Sequence, residues 1–345
     1  MNSLQRIQAA IHFEQTDRVP VIPQVFAHAA VLAGKTLGAY IRDGETLAQC
    51  QLKAIAHYGY DAVFALMDAG LETEAVGARL LYRNDIYPCV ERYALDDIRD
   101  LDGLVVPDPN LSGRMPELLK SARILRRELR NEVLIVGCVL GPMTLAMQLM
   151  GPEKALFLAA DEPDLFGRVL DFATDVAISF GLAQIEAGVH TPLVFDPSAS
   201  PAVVPPQFFR EFLLSRLKRL FSALKSGGSL SNWLHIAGPA ETIFPYYPEA
   251  GVEIANFDYC VNPMRARKLL PETCLNGNIK PLSFVEATTG DISAECLVLL
   301  AQLGPGRGYI LSSGCEIPPE AKPENVAAMV SASRTKELPR AHSHD

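Results

Sequence analysis

Short apolar runs alternate along the chain with longer amphipathic stretches. The runs predicted as strands are Val19–Gln24, Ala62–Met67, Val133–Val139, Pro192–Asp196, Asn232–Ile236, Glu253–Phe257, Thr273–Asn276 and Tyr309–Ser312. Each is bounded by Gly, Pro, Asn or Asp and lacks a strict in–out alternation, which suits parallel strands covered on both faces. Between them lie helical patterns such as Pro206–Ser226, where Phe208, Phe209, Phe212, Leu213, Leu217 and Leu220 share an apolar face. Eight strands with helical connectors and no break in composition predict an α/β fold of the (β/α)8 TIM-barrel type. The competing doubly wound sheet lacks a glycine-rich phosphate turn after the first strand.

The spacing is uneven. About seventy residues separate the second strand from the third, too many for one crossover helix. Within them Ala78–Arg83, Asn84-Asp85 and Ile86–Tyr93 read as a β-hairpin, followed by an Arg-rich helix near 115–130. This insertion is placed to form a flap over one barrel mouth. Residues 1–335 read as a single barrel domain and 336–345 as a polar tail, in which His342 and His344 read as part of a mobile terminus.

Composition narrows the function. With 31 Lys and Arg against 40 Asp and Glu, the net charge is −9, which argues against a nucleic-acid binder. Arg123, Arg126, Arg127 and Arg130 fall at helical spacing and read as a solvated face. Seven cysteines, with no CxxC pair among them, suit a cytoplasmic protein better than a disulfide framework. The uncharged stretch Val133–Met150 contains Gly141-Pro142, so it reads as a buried strand running into a helix and not as a membrane span. The first eighteen residues have no apolar run of signal-peptide length.

In a barrel, functional side chains gather at the C-terminal ends of the strands. Those ends carry Gln24 and His28; Asp68; Asp196, Ser198 and Ser200; His235; Asp258 and Cys260; Asn276 and Asn278; and Ser312, Ser313, Cys315 and Glu316. Gln24, His28, Asp68, Asp196, Ser198, Asn278 and Glu316 are the candidates for binding substrate. Each has a structural alternative: His28 as a capping residue, Asp68 and Glu74 as helix caps, Asn278 as a turn residue. Cys315 follows Gly314 and precedes Pro318-Pro319, a held position that suits a ligand or a nucleophile as well as a small buried thiol. Cys50, Cys89, Cys138, Cys274 and Cys296 read as structural thiols.

Taken in order, these segments resemble the superfamily of uroporphyrinogen decarboxylase and the zinc- and corrinoid-dependent methyltransferases. The similarity runs through Arg18-Val19-Pro20, Glu72–Gly77, Gly141–Ala146, Asp196–Ser200, Leu234–Gly238, Asn276–Pro281 and Gly314–Pro319. It implies a uroporphyrinogen-decarboxylase-like barrel with its site at the C-terminal mouth. Decarboxylases of this family carry arginines soon after the first strand to meet a porphyrinogen's carboxylates, whereas here Pro23–Ala30 has none. The chain therefore looks closer to the methyltransferase branch.

That branch carries a His-x-Cys zinc motif and a distant cysteine after the last strand. His235 and Cys315 match it, but Ala237 replaces the middle ligand. Asp258 falls where relatives place an acidic residue near the metal, so the resemblance implies His235, Asp258 and Cys315 as catalytic residues and zinc ligands, with Cys260, two residues after Asp258, as an outside candidate. Zinc retention and zinc loss both stay open. The resemblance further implies cobalamin on a separate corrinoid protein that docks over the mouth, a small methyl donor or acceptor inside it, and compatibility with a homodimer. The alternatives are a metal-free decarboxylase or lyase acting on a smaller acid, and a non-catalytic partner in a corrinoid system.

Overall fold

The structure, a computed structural model, describes residues 1–304 and 307–335. The tail that begins at residue 336, with His342 and His344, lies outside the described residues. Among those described, seven parallel strands form one curled sheet in the order β1 (Ala62–Phe64), β4 (Leu134–Leu140), β5 (Thr191–Phe195), β6 (Trp233–His235), β7 (Ile254–Asn256), β8 (Cys274–Ile279) and β9 (Tyr309–Ser313). The two remaining strands, β2 (Arg79–Leu81) and β3 (Cys89–Arg92), pair antiparallel as a separate hairpin.

The expected first strand, Val19–Gln24, is reduced to a bridge between Val21 and Leu311. Pro20 and Pro23 explain this, because neither has an N–H to give to a ladder. What remains still joins the two edges of the sheet. Ile22 N–H donates to Leu311 O and Leu311 N–H to Pro20 O, while on the other side Asp61 N–H donates to Val21 O, each at 2.9 Å. The segment is thus the eighth stave of a (β/α)8 barrel.

The barrel interior is a distinct apolar cluster built from alternate positions: Ile22, Phe64, Leu134, Val136, Leu193, Trp233, Ile254, Cys274 and Ile310. Helices pack outside it around a second, larger core. The Pro206–Ser226 pattern is helical throughout its length, with a π turn at Phe209–Leu213. The hairpin insertion and the helix Met115–Leu129 lie where the spacing predicted them. No helix among the described residues is long and apolar enough to cross a membrane.

The N-terminal end of the barrel is closed by charge. Asp61, fully buried beneath β1, accepts from Ser3 Oγ (2.8 Å), Arg6 Nη1 (2.8 Å), Arg18 Nη1 (2.7 Å) and Val21 N (2.8 Å). Asp17 pairs with the remaining face of Arg6 at 2.7 Å.

Candidate active site

The C-terminal mouth holds a cavity of about 480 Å³. Its walls come from the barrel (Phe26, Leu66, Cys138, Phe195), from the hairpin (Leu80, Tyr87, Pro88, Cys89, Val90) and from the segment after β9 (Cys315, Glu316). Asp68 and Gln148 complete the polar lining. The hairpin is therefore a flap, as its position in the sequence predicted, and it is tied to the barrel by Tyr87. The Tyr87 hydroxyl donates to Glu316 Oε1 at 2.6 Å, and Ala27 N–H donates to the same oxygen at 3.3 Å. Burial, with Tyr87 and Ala27 as its only counterweights, pushes the Glu316 carboxyl up to about 7.

Asp68 lies on the same wall but is neutralised. Arg114, from the start of the Met115–Leu129 helix, donates through Nη1 to Asp68 Oδ2 at 2.5 Å and Ile41 O at 2.7 Å, through Nη2 to Asp68 Oδ1 at 3.2 Å and through Nε to Glu74 Oε2 at 2.8 Å. Its guanidinium and that of Arg42 both sit over the ring of Tyr82, which is itself bonded to Glu74. Among the described lining residues no Lys, Arg or His faces the cavity.

Several residues expected to bind substrate are instead locks between neighbouring strand ends. Asp196 accepts from Thr144 N and Thr144 Oγ1, both at 2.7 Å, and caps the helix Pro142–Met150 from the next strand. Gly141 makes this fit, since a Cβ there would stand 2.3 Å from the Asp196 side chain. Burial outweighs those bonds and pushes Asp196 up to about 6. Ser198 meets the same lock through its backbone N–H on Thr144. Asn278 donates to Asp258 O and Val261 O. His28 sits between Pro319 O and the Tyr58 hydroxyl, and burial lowers its pKa. Gln24 donates to Ser313 O. None of these five lines the cavity, whereas Asp68 and Glu316 do.

His235, Asp258 and Cys315 are not gathered into a three-ligand group as the described residues are placed. Among the described residues no group of three or more His, Cys, Asp or Glu side chains is placed to share an ion. Asp258 spends both carboxylate oxygens on backbone, from Gly238 N and Tyr259 N at 2.7 Å each. Ala237 has no donor atom. Burial first, then the charges of Asp258 and Glu316, push the Cys315 thiol up to about 11. Cys260 is exposed and outside the cavity. The donors present do not fit zinc.

Below the cavity, a polar row crosses the barrel. His235, Asn256 and Asn276 are register partners on β6, β7 and β8, and Phe195 is the partner of His235 on β5. Trp233, Ile254 and Cys274, two residues earlier on each strand, belong to the interior cluster, so alternation carries this row inward. Asn256 Nδ2 donates to Asn276 Oδ1 at 3.1 Å. Asn256 Oδ1, Asn276 Nδ2 and both ring nitrogens of His235 are buried without a partner among the described residues. Burial lowers the His235 pKa to about 3, so the ring is neutral. Its edge stands against Phe195, with ring centroids 5.0 Å apart.

Sequence reasoning missed Tyr87, Gln148, Phe26 and Phe195 on the cavity wall, counted Cys89 and Cys138 as structural, and gave Asn256 no role. Asn256 carried a signal, a polar residue inside the apolar run Glu253–Phe257. The wall residues carried none, because aromatic side chains on the barrel or the flap, and a lone Gln within a helix, resemble ordinary packing.

A family model described as uroporphyrinogen decarboxylase (URO-D) matches residues 2–336. A methylcobamide:CoM methyltransferase MtaA of Methanosarcina barkeri is 31% identical over 95% of this chain and 96% of its own. A uroporphyrinogen decarboxylase of Syntrophotalea carbinolica is 30% identical over 83% of this chain and 82% of its own. Among solved structures, a methyltransferase from Methanosarcina mazei superposes with a TM-score of 0.87 at 27% identity, over 97% of this chain and 98% of that one. The chain belongs to the uroporphyrinogen decarboxylase family.

Proposed function

We propose that this member of the uroporphyrinogen decarboxylase family is a corrinoid-dependent methyltransferase, which moves a methyl group between a corrinoid protein and a small substrate held at the barrel mouth. Relatives named as methylcobamide:CoM methyltransferases cover almost the whole chain, as do named decarboxylases over a shorter span. The observation that carries the choice is the cavity wall. It presents Asp68 and Glu316, with no cation among the described lining residues, and it encloses about 480 Å³. An octacarboxylate porphyrinogen would find no lining cation for its carboxylates and would face the unpaired Glu316, whereas a small methyl donor or acceptor fits the volume.

In this reading residues 1–335 act as one barrel domain. The corrinoid protein brings cobalamin to the open side of the mouth, and the hairpin flap keeps water from the transferring methyl group. Tyr87 and Glu316 hold the flap in place. His235, neutral, buried behind the Phe195 wall and outside the cavity lining, keeps unspent hydrogen-bonding capacity and is assigned to positioning that wall under the substrate. Cys315 is assigned to the cavity wall as a thiol. No step uses zinc.

The test is methyl transfer from methylcobamide to a panel of small thiols, amines and folates, or from their methylated forms to the reduced corrinoid, followed through the cobalt absorbance spectrum. The reading expects turnover that persists after chelation. Decarboxylation of a porphyrinogen without any change in the cobalt spectrum would overturn it.

A further inference from the structure

Glu316 is a half-buried carboxyl without a counter-ion. Its partners are the neutral Tyr87 hydroxyl and Ala27 N–H, both on Oε1, and Oε2 accepts no hydrogen bond from the described residues. Of the other buried or half-buried carboxylates, Asp61 has Arg6 and Arg18, and Asp68 and Glu74 share Arg114, while Glu72, Asp196 and Asp258 lack cations but are met by backbone N–H groups or the Thr144 hydroxyl and do not line the cavity. Glu316 is the cavity-lining carboxyl without a cation. The wall around Glu316 is aromatic and apolar, with Phe26, Tyr87, Phe195, Leu66 and Val90. A half-buried carboxyl that lacks a protein cation and shares a cavity wall with aromatic rings is an environment in which an organic cation, which favours the ionised carboxylate, is held by charge and by ring faces together.

The same wall disfavours an anion. Arg114 lies outside the cavity lining, and each of its three nitrogens already donates to Asp68, Glu74 or Ile41 O. A sulfonate or carboxylate in the cavity would have to displace Asp68 and would still face Glu316.

We infer that the mouth cavity takes a small organic cation of the methylated-amine class, with its onium group between Glu316 and the aromatic wall. This deepens the methyltransferase reading by naming a substrate class. The assignment to the cavity is a statement about binding and is tested on the chain alone, without a corrinoid partner.

The experiment is isothermal titration of the full chain with three probes: choline chloride, its neutral isostere 3,3-dimethyl-1-butanol, and sodium 2-mercaptoethanesulfonate. Choline is expected to bind at least about tenfold more tightly than the isostere, and the sulfonate more weakly than either. Glu316→Gln is expected to erase the difference between choline and the isostere while retaining binding of the isostere. Val90→Trp, which fills the cavity from the flap, is expected to abolish both. Equal binding of choline and isostere by the wild-type chain, or tighter binding of the sulfonate, would overturn the inference. The methyltransferase reading fails separately. Choline binding without any methyl transfer in the cobalt assay would sink that reading and leave the cavity assignment standing. Transfer to the thiol with no choline binding would do the reverse.

Discussion

Asp61, under the N-terminal end of β1, and Glu316, after the C-terminal end of β9, are both carboxyl groups taken from water at opposite ends of one barrel. Asp61 is met by two arginines, a serine hydroxyl and a backbone N–H. Glu316 is met by a tyrosine and a backbone N–H, neither of them charged. The same contrast extends to the neighbours of each. At the bottom, Asp17 completes the pairing of Arg6. Toward the mouth, His235, Asn256 and Asn276 keep unpartnered polar atoms in the interior. Burying a polar atom without a partner costs on the order of 1–3 kcal/mol, so a chain retains such groups where something else completes them. The Asp61 network at the bottom is saturated and holds the fold, although Tyr60, Asn232 and Trp233 near the strand starts also keep an unpartnered polar atom each. Glu316 and the His235 row toward the mouth keep unspent capacity, which at Glu316 is assigned to a ligand.

The largest effect that would sharpen this contrast is on stability. Asp61→Ala leaves Arg6 and Arg18 without their buried partner and removes the acceptor of Val21 N–H, which secures the eighth stave. It is expected to lower unfolding free energy by about 3–5 kcal/mol, read from urea denaturation. A loss below about 1 kcal/mol would show that the bottom network is not what closes the barrel.

A second, smaller effect concerns pH. Glu72 is buried behind the mouth, accepts Leu140 N–H at 2.7 Å, and is pushed by burial from 4.5 up to about 7. A carboxyl with a raised folded-state pKa binds its proton more tightly in the native state. Its contribution is therefore complete below the unfolded value near 4.5 and is lost as pH rises through about 7. Urea midpoints of wild type and Glu72→Gln should accordingly diverge between about pH 5 and about pH 8, with the variant gaining on the wild type at the higher pH. Parallel pH profiles would contradict this assignment.

The smallest expected change in stability belongs to His235→Leu. Exchanging an unpartnered buried imidazole for an apolar side chain should leave stability within about 1 kcal/mol of wild type or raise it. Methyl transfer should nevertheless fall, and more in kcat than in KM. Severe destabilisation would mean that His235 has a structural partner, and that the mouth resembles the bottom after all.

Much of the architecture was legible because barrel strands are short, apolar and punctuated by Gly, Pro, Asn and Asp. The exception, Val19–Gln24, looks like a strand in hydropathy but carries Pro20 and Pro23, which limit it to a bridge. The site was legible only in part. Strand-end position drew attention to Asp68, Cys315 and Glu316, which line the cavity, and equally to Asp196, Asn278 and His28, which do not. Polar residues at strand ends serve two purposes, locking adjacent loops and facing ligand, and sequence position is the same for both. Only the partner atoms distinguish them: Thr144 for Asp196, the carbonyls of Asp258 and Val261 for Asn278. The flap residues were hidden for a different reason, since their site role depends on a fold-back from an insertion whose direction the sequence does not encode locally.

The central claim is that the mouth cavity beneath the hairpin is where methyl transfer takes place. The most direct measurement is the rate of change of the cobalt spectrum with methylcobamide and an accepted substrate, for wild type and for Val90→Trp at matched thermal stability. The account predicts turnover by the wild type and a loss of at least about a hundredfold when the indole fills the cavity. Equal rates in the two proteins would place the chemistry elsewhere and contradict it.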